Sequence, residues 1–197
     1  MHRNRTCLSV MVAAVLVITL AGIARAAPVT DRPVQQGAKL VPAMYVAYAG
    51  KTCAPKDIGA QIEATLHELW VSCLDNGLHP AGPTTVAAEI QPQADQAIRW
   101  EAWLPLADQP SADDLANKGP VQIRQIPATW VAFTYHSGDP ATISDTFAAL
   151  VKWMTDKGMT PAGHSRVVVS VTPPDGKPEH MVRECQFEMQ GGTAEPK

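Results

Sequence analysis

The chain has 197 residues, 46% of them hydrophobic, with 16 Lys/Arg against 19 Asp/Glu and a formal net charge of −3. No Lys/Arg cluster is present, so the sequence lacks the electrostatic footprint of a nucleic-acid or anionic-membrane partner. Four cysteines without a C-x-x-C and six histidines without H-x-x-x-H spacing exclude the common zinc and redox motifs.

Residues 1–26 read as an export signal. His2-Arg3-Asn4-Arg5 supplies a cationic start, an apolar run covers Leu8 to Ile23, and Ala24-Arg25-Ala26 offers a small-x-small site with cleavage between Ala26 and Ala27. The run is short of the ~20 residues that a membrane-spanning helix needs. The expected location is therefore periplasmic or secreted, with no membrane association after cleavage. Signal removal takes three basic residues and no acidic one, leaving 13 against 19 and a net charge of −6, compatible with a cationic ligand. Residues 27–38 read as a polar spacer, 39–190 as one domain, and 191–197 as a loose tail.

In chain order, Leu40 to Ala49 reads as a strand. Ile58, Ile62, Leu66, Leu69, Trp70, Cys73 and Leu74 then mark one face of a helix over 57–76, ended by Gly77. Thr84 to Ile90 and Ala97 to Leu106 read as strands joined by a turn at Gln91 to Asp95. A polar linker covers 107–120. Val121 to Tyr135 contains the next strand, and Asp139-Pro140 starts a helix as a side-chain cap followed by Pro. Its stripe is Ile143, Phe147, Leu150, Val151 and Met154, and Gly158 ends it. Val167 to Val171 and Met181 to Met189 close the chain as strands, with a turn through Thr172 to Gly176. Of the three cysteines left after cleavage, an exported chain could oxidise two. The first helix separates Cys53 from Cys73 beyond disulfide reach, however, and Cys73 and Cys185 fall on apolar faces and read as buried free thiols.

The order repeats. Val41-Pro42-Ala43, Val46-Ala47-Tyr48, Gly77-Leu78-His79-Pro80-Ala81-Gly82 and Arg99-Trp100-Glu101 are answered by Ile126-Pro127-Ala128, Val131-Ala132-Phe133, Gly158-Met159-Thr160-Pro161-Ala162-Gly163 and Val182-Arg183-Glu184. The fold class expected is α+β: two pseudo-symmetric strand-helix-strand-strand modules (39–106 and 121–190). Their antiparallel sheets form a central cleft, with helices packed on the sheets. Alternation along the last strand puts Cys185, Phe187 and Met189 on one face and Glu184, Gln186 and Glu188 on the other. In the matching strand Glu101 and Trp103 oppose Trp100, Ala102 and Leu104. Acids beside aromatics suit a cation held by charge and π-face contact, although a solvated sheet face gives the same alternation. The parity of the opening strands is open, so Tyr48 and Tyr135 enter only as candidate wall residues.

The run Gln122-Ile123-Arg124-Gln125-Ile126-Pro127-Ala128-Thr129-Trp130-Val131-Ala132-Phe133 resembles the GyrI-like small-molecule-binding domain. So do His136-Ser137-Gly138, Ile143, Phe147 to Trp153, Gly158, Gly163 and Arg183-Glu184. This is the effector-binding domain also found in AraC-type and MerR-type multidrug-sensing regulators, and the resemblance covers about Lys39 to Met189. It implies a pseudo-symmetric α+β domain in which an acid on the final strand, here Glu184, contacts cationic or amphipathic ligands with help from aromatics; Glu101 is its internal counterpart. Some members are hydrolases that open small strained rings with a cleft glutamate. A SOUL-type haem-binding protein has a similar fold, but this chain offers no assignable iron ligand. Two features depart from the pattern: Asp139-Pro140-Ala141 stands where Pro-Tyr is usual, and Ser170 to Asp175 replaces a Tyr-x-Asp-Asp-Pro segment.

The function expected is a non-catalytic binding domain for a cationic or amphipathic small molecule, with Glu184, Glu101, Trp103, Tyr48 and Tyr135 as ligand contacts. The alternatives are a hydrolase using Glu184 or Glu101 as general acid or base, and an envelope protein-interaction module. No cofactor, metal or nucleic acid is expected, and no helix-turn-helix segment is visible. Trp70 and Trp153 read as core, His67 as solvated, and His136 as a turn residue near the cleft mouth.

Overall fold

The computed structural model describes residues 35–54, 57–89, 97–116, 121–171, 175 and 177–190. The signal and its cleavage site, the turn at Gln91 to Asp95, most of the Thr172 to Gly176 turn and the tail lie outside the described residues. Eight strands, β1 (Gln36–Val41), β2 (Met44–Cys53), β3 (Thr85–Glu89), β4 (Ile98–Pro105), β5 (Gln122–Ile126), β6 (Thr129–Ser137), β7 (Pro161–Val171) and β8 (Val182–Met189), form one curled antiparallel sheet. Its order is β1-β6-β8-β7-β3-β4-β2-β5. The helices are α1 (Ile58–Asp75), α2 (Ala112–Leu115) and α3 (Ile143–Asp156). None of the described helices is long and apolar enough to cross a membrane.

The sequence suggests two sheets; the structure joins them. Strands β3 and β7 pair from Thr85↔Val168 to Glu89↔His164, so neither half keeps a bare edge at its centre. Each opening strand is also two strands, because Pro42 and Pro127 lack the N–H that a continuous ladder needs. The short leading pieces cross over: β1 pairs with β6 of the second half, and β5 pairs with β2 of the first. Gln36 to Ala38, within the stretch read as spacer, thus belong to the sheet. The linker holds α2, whose Ser111 and Asp114 make a capping box.

Helix α1 packs on β2 and β4, burying Ile58, Ile62, Leu69 and Cys73 against Trp100, Ala102 and Leu104. Helix α3 buries Ile143, Phe147, Leu150 and Met154 against Ala132, Cys185 and Phe187, with Phe147 and Phe187 edge-on at 5.1 Å. Asp139 accepts a hydrogen bond from the Ala141 N–H, and the 3-10 turn Pro140–Thr142 runs into α3. Gly77 and Gly158, both at positive φ, end the helices alike: the Leu78 N–H returns to Cys73 O and the Met159 N–H to Met154 O. The stripe expected on α1 is too wide, since Trp70 and Leu74 are exposed. Trp153 is partly buried against the α3 core. His136 is buried on the helix side of β6, its ring nitrogens within hydrogen-bond distance of Thr146 Oγ1 (2.8 Å) and Asp139 O (3.2 Å). Cys53, Cys73 and Cys185 are free and buried.

Candidate functional site

The sheet face turned away from α1 and α3 carries the acids. Because Trp100 and Leu104 are spent on α1, and Cys185 and Phe187 on α3, alternation turns Glu101, Trp103, Glu184, Gln186 and Glu188 to the opposite side. Strand pairing settles the parity that the sequence leaves open. Tyr48 lies opposite Trp103, and Tyr135 opposite Glu184, so both belong to this glutamate face. Phe133 is opposite Gln186 and joins them.

The sequence reading missed what these carboxylates touch. Glu101 accepts from Trp103 Nε1 at 2.7 Å and from both terminal nitrogens of Arg124. Arg124 in turn lies 4.2 Å from the Tyr48 ring centroid and 5.5 Å from that of Trp103. Glu184 accepts from Gln186 Nε2 at 2.7 Å and pairs with Lys39 Nζ at 2.6 Å. That ammonium stands 5.0 Å from the Phe133 centroid. The two spots have the same parts: a carboxylate on β4 or β8, an N–H donor two residues on, a ring on the neighbouring strand, and a cation from β5 or β1. Gly37, opposite Phe133, leaves room for that ring; a Cβ there would stand 2.9 Å from its Cε1.

A third pair lies between them. Arg166, almost fully buried, pairs with Glu188 and lies 5.0 Å from the Trp103 centroid, while the His164 N–H reaches Glu188 Oε2 at 3.3 Å. Burial pushes the Glu188 carboxyl up, but the His164 side chain and the Arg166 charge and hydrogen bonds together hold it below its ordinary value. Trp103 is only 2% exposed, packed in an apolar cluster with Val46, Ala87 and Ile126. Two guanidiniums and the His164 ring, edge-on at 6.3 Å, close it off. Glu184, Glu101 and Glu188 are therefore each matched by one of the chain's own cations. A basic residue inside each apolar leading strand, Lys39 beside Leu40 and Arg124 between Ile123 and Ile126, was the available signal.

Tyr135, 39% exposed and edge-on to Phe133 at 5.7 Å, leaves a surface beside Glu184 for an apolar group. A surface cavity of about 300 Å³ opens between α1 and β2; Tyr48 is among its lining residues, and Glu101 and Glu184 are not. No group of three or more His, Cys, Asp or Glu side chains among the described residues is placed to hold a metal.

With this sheet in view, the C-terminal domain of EcmrR aligns over 80% of the present chain and 98% of that domain, at a TM-score of 0.63 and 14% identity. The fold is GyrI-like. EcmrR in its complex with DNA gives a TM-score of 0.65 at 14% identity over 80% of this chain, which spans 57% of the EcmrR chain. A hydrolase encoded by lin2189 from Listeria innocua gives a TM-score of 0.54 at 13% identity, covering 79% of this chain and 92% of that one. At the level of sequence no family model and no curated protein matches.

Proposed function

We propose that the chain is an exported, non-catalytic binding domain that takes an organic cation, or an amphiphile with a cationic end, on its glutamate face beside Glu184. Its two halves descend from one duplicated unit. The observation that carries the reading is the ammonium of Lys39, seated between a nearly buried carboxylate and an aromatic face at 2.6 and 5.0 Å. Those are the contacts that an organic cation needs. Phe133 and Tyr135 supply the apolar wall. Glu101 and Trp103, bound to Arg124, support the sheet, because a guanidinium making two bonds and lying beside two rings is a poor group to displace. A hydrolytic role would need a carboxylate free to exchange a proton with substrate, and both candidates are engaged by cations.

The test is thermal unfolding of the chain from Ala27 onward with benzyltrimethylammonium, benzyl alcohol or benzoate. At a hundredfold excess over Kd the cation adds about 2.7 kcal/mol of stability. The gain is expected with the cation alone and is lost in Glu184→Gln. Equal shifts with all three compounds, or an undiminished shift in the variant, count against the site. Export is tested separately, by the N-terminal residue of the protein recovered outside the cytoplasm; a start at Ala27 supports it and an intact Met1 does not.

A further inference from the structure

Lys39 and Arg124 occupy matching places, two residues before Val41 and Ile126, yet they are held differently. Arg124 makes two hydrogen bonds to Glu101 and lies beside the rings of Tyr48 and Trp103. Lys39 makes one ion pair and one ring contact. Both come from the two edge strands of the described sheet, β1 and β5, and the Lys39 ammonium reaches over β6 to Glu184 on β8 as Arg124 reaches over β2 to Glu101 on β4. The Lys39 side chain is 39% exposed against 7% for Glu184. The carboxylate is thus fixed in the sheet while its cation sits at the end of a flexible four-carbon stem next to water.

We propose that Lys39 is a tethered competitor for the ligand's cation: binding is an exchange in which an organic ammonium takes the place between Glu184 and Phe133 and the Lys39 side chain swings out to solvent. This rests on the reading of that spot as the ligand site. The exchange conserves charge. Glu184 keeps a cation throughout, so the unpaired buried carboxylate that an empty site would hold never forms. A neutral or anionic compound cannot drive it, because its arrival would leave Glu184 uncompensated. Lysine suits the task where arginine would not: a compact ammonium on a mobile stem is readily rehydrated, whereas a forked guanidinium loses several oriented contacts at once. The competitor also lowers affinity, since each binding event gives up a partly exposed ion pair and a cation–π contact.

The experiment is calorimetric titration of benzyltrimethylammonium into wild type, Lys39→Met and Glu184→Gln, with benzyl alcohol as the neutral control. Removing an exposed-side ion pair and a ring contact of this kind predicts binding about tenfold tighter in Lys39→Met. No cation binding is expected in Glu184→Gln, and none of benzyl alcohol to wild type. If wild type binds and Lys39→Met binds equally or more weakly, the exchange is wrong while the cation site stands. If neither binds, the site itself is wrong. Lysine acetylation followed by mass spectrometry gives a readout on the unmodified sequence, which keeps the test decisive should Lys39→Met fold poorly. Added cation should speed modification of Lys39 relative to Lys152, and an unchanged or slower rate overturns the proposal.

Discussion

Arg166→Met isolates the pair at the centre of the glutamate face. The Arg166 side chain is 3% exposed, its partner Glu188 is 20% exposed, and Trp103 lies against the guanidinium at 5.0 Å. Methionine keeps most of the volume and none of the charge, so the loss reports the stranded carboxylate. Breaking a buried pair from one side costs about 3–5 kcal/mol. Residual exposure and the His164 contacts place this case at the low end, about 3 kcal/mol, or roughly 6–12 °C in Tm for a domain of this size. The pH dependence carries a sign. In the wild type Glu188 is held below its ordinary value, so its contribution is complete above the usual glutamate range and fades as pH falls through the lowered value. In the variant the burial and the His164 hydrogen bond remain while the Arg166 charge is gone, so the carboxyl rises from its wild-type value. The penalty measured by urea unfolding should therefore shrink between pH 7.5 and pH 5, as Glu188 takes a proton. Arg166→Met/Glu188→Gln should recover most of the loss. A penalty below about 1 kcal/mol, or one equal at both pH values, would refute the ion-pair account.

Other outcomes follow from neighbouring features. Gly163 stands at φ +61 in a bulge of β7, where an added Cβ meets the Glu188 carboxylate; Gly163→Ala should cost about 2–3 kcal/mol. Gly158→Ala, at similar φ in open space, should cost about 1 kcal/mol, and equal costs in urea melts would remove the steric argument. Burial pushes the Cys73 thiol up to about 11 and the Cys185 thiol up to about 12. Ellman's reagent at pH 8 should then leave both unmodified in the folded chain and label them after denaturation. Burial also holds His136 below the ordinary imidazole range, so the unfolded chain binds the extra proton and stability falls with pH below about 6.5. His136→Gln should flatten that slope; an unchanged slope would assign it to other groups.

The helices were legible because their stops are local. Gly77 and Gly158 end them where the sequence says, and the apolar spacing of α3 matches its buried residues. The glutamate face was legible for the same reason: alternation along β4 and β8 needs no knowledge of neighbours. The closure of the sheet was not. The β3–β7 pairing joins segments about eighty residues apart, and nothing in Thr85–Glu89 names its partner. Strand β7 also begins six residues earlier than its β-branched core suggests, at Pro161, which hid His164 and Arg166 from the reading of the site. Most consequentially, Lys39 and Arg124 were invisible as partners of Glu184 and Glu101 because they arrive on crossed-over strands from the opposite half.

That crossing imposes an order in time. Strand β1 is the first part of the described chain to be synthesised, and it can pair only with β6, whose residues follow it by about ninety positions. Until Thr129–Ser137 has emerged, β1 has no ladder to join, and Lys39 has no Glu184 to meet until Val182–Met189 follows. Long-range pairings of this kind are slow and leave strand edges exposed while they wait. The first strand therefore waits for β6 to pair its backbone and for β8, the last strand, to give Lys39 its partner Glu184.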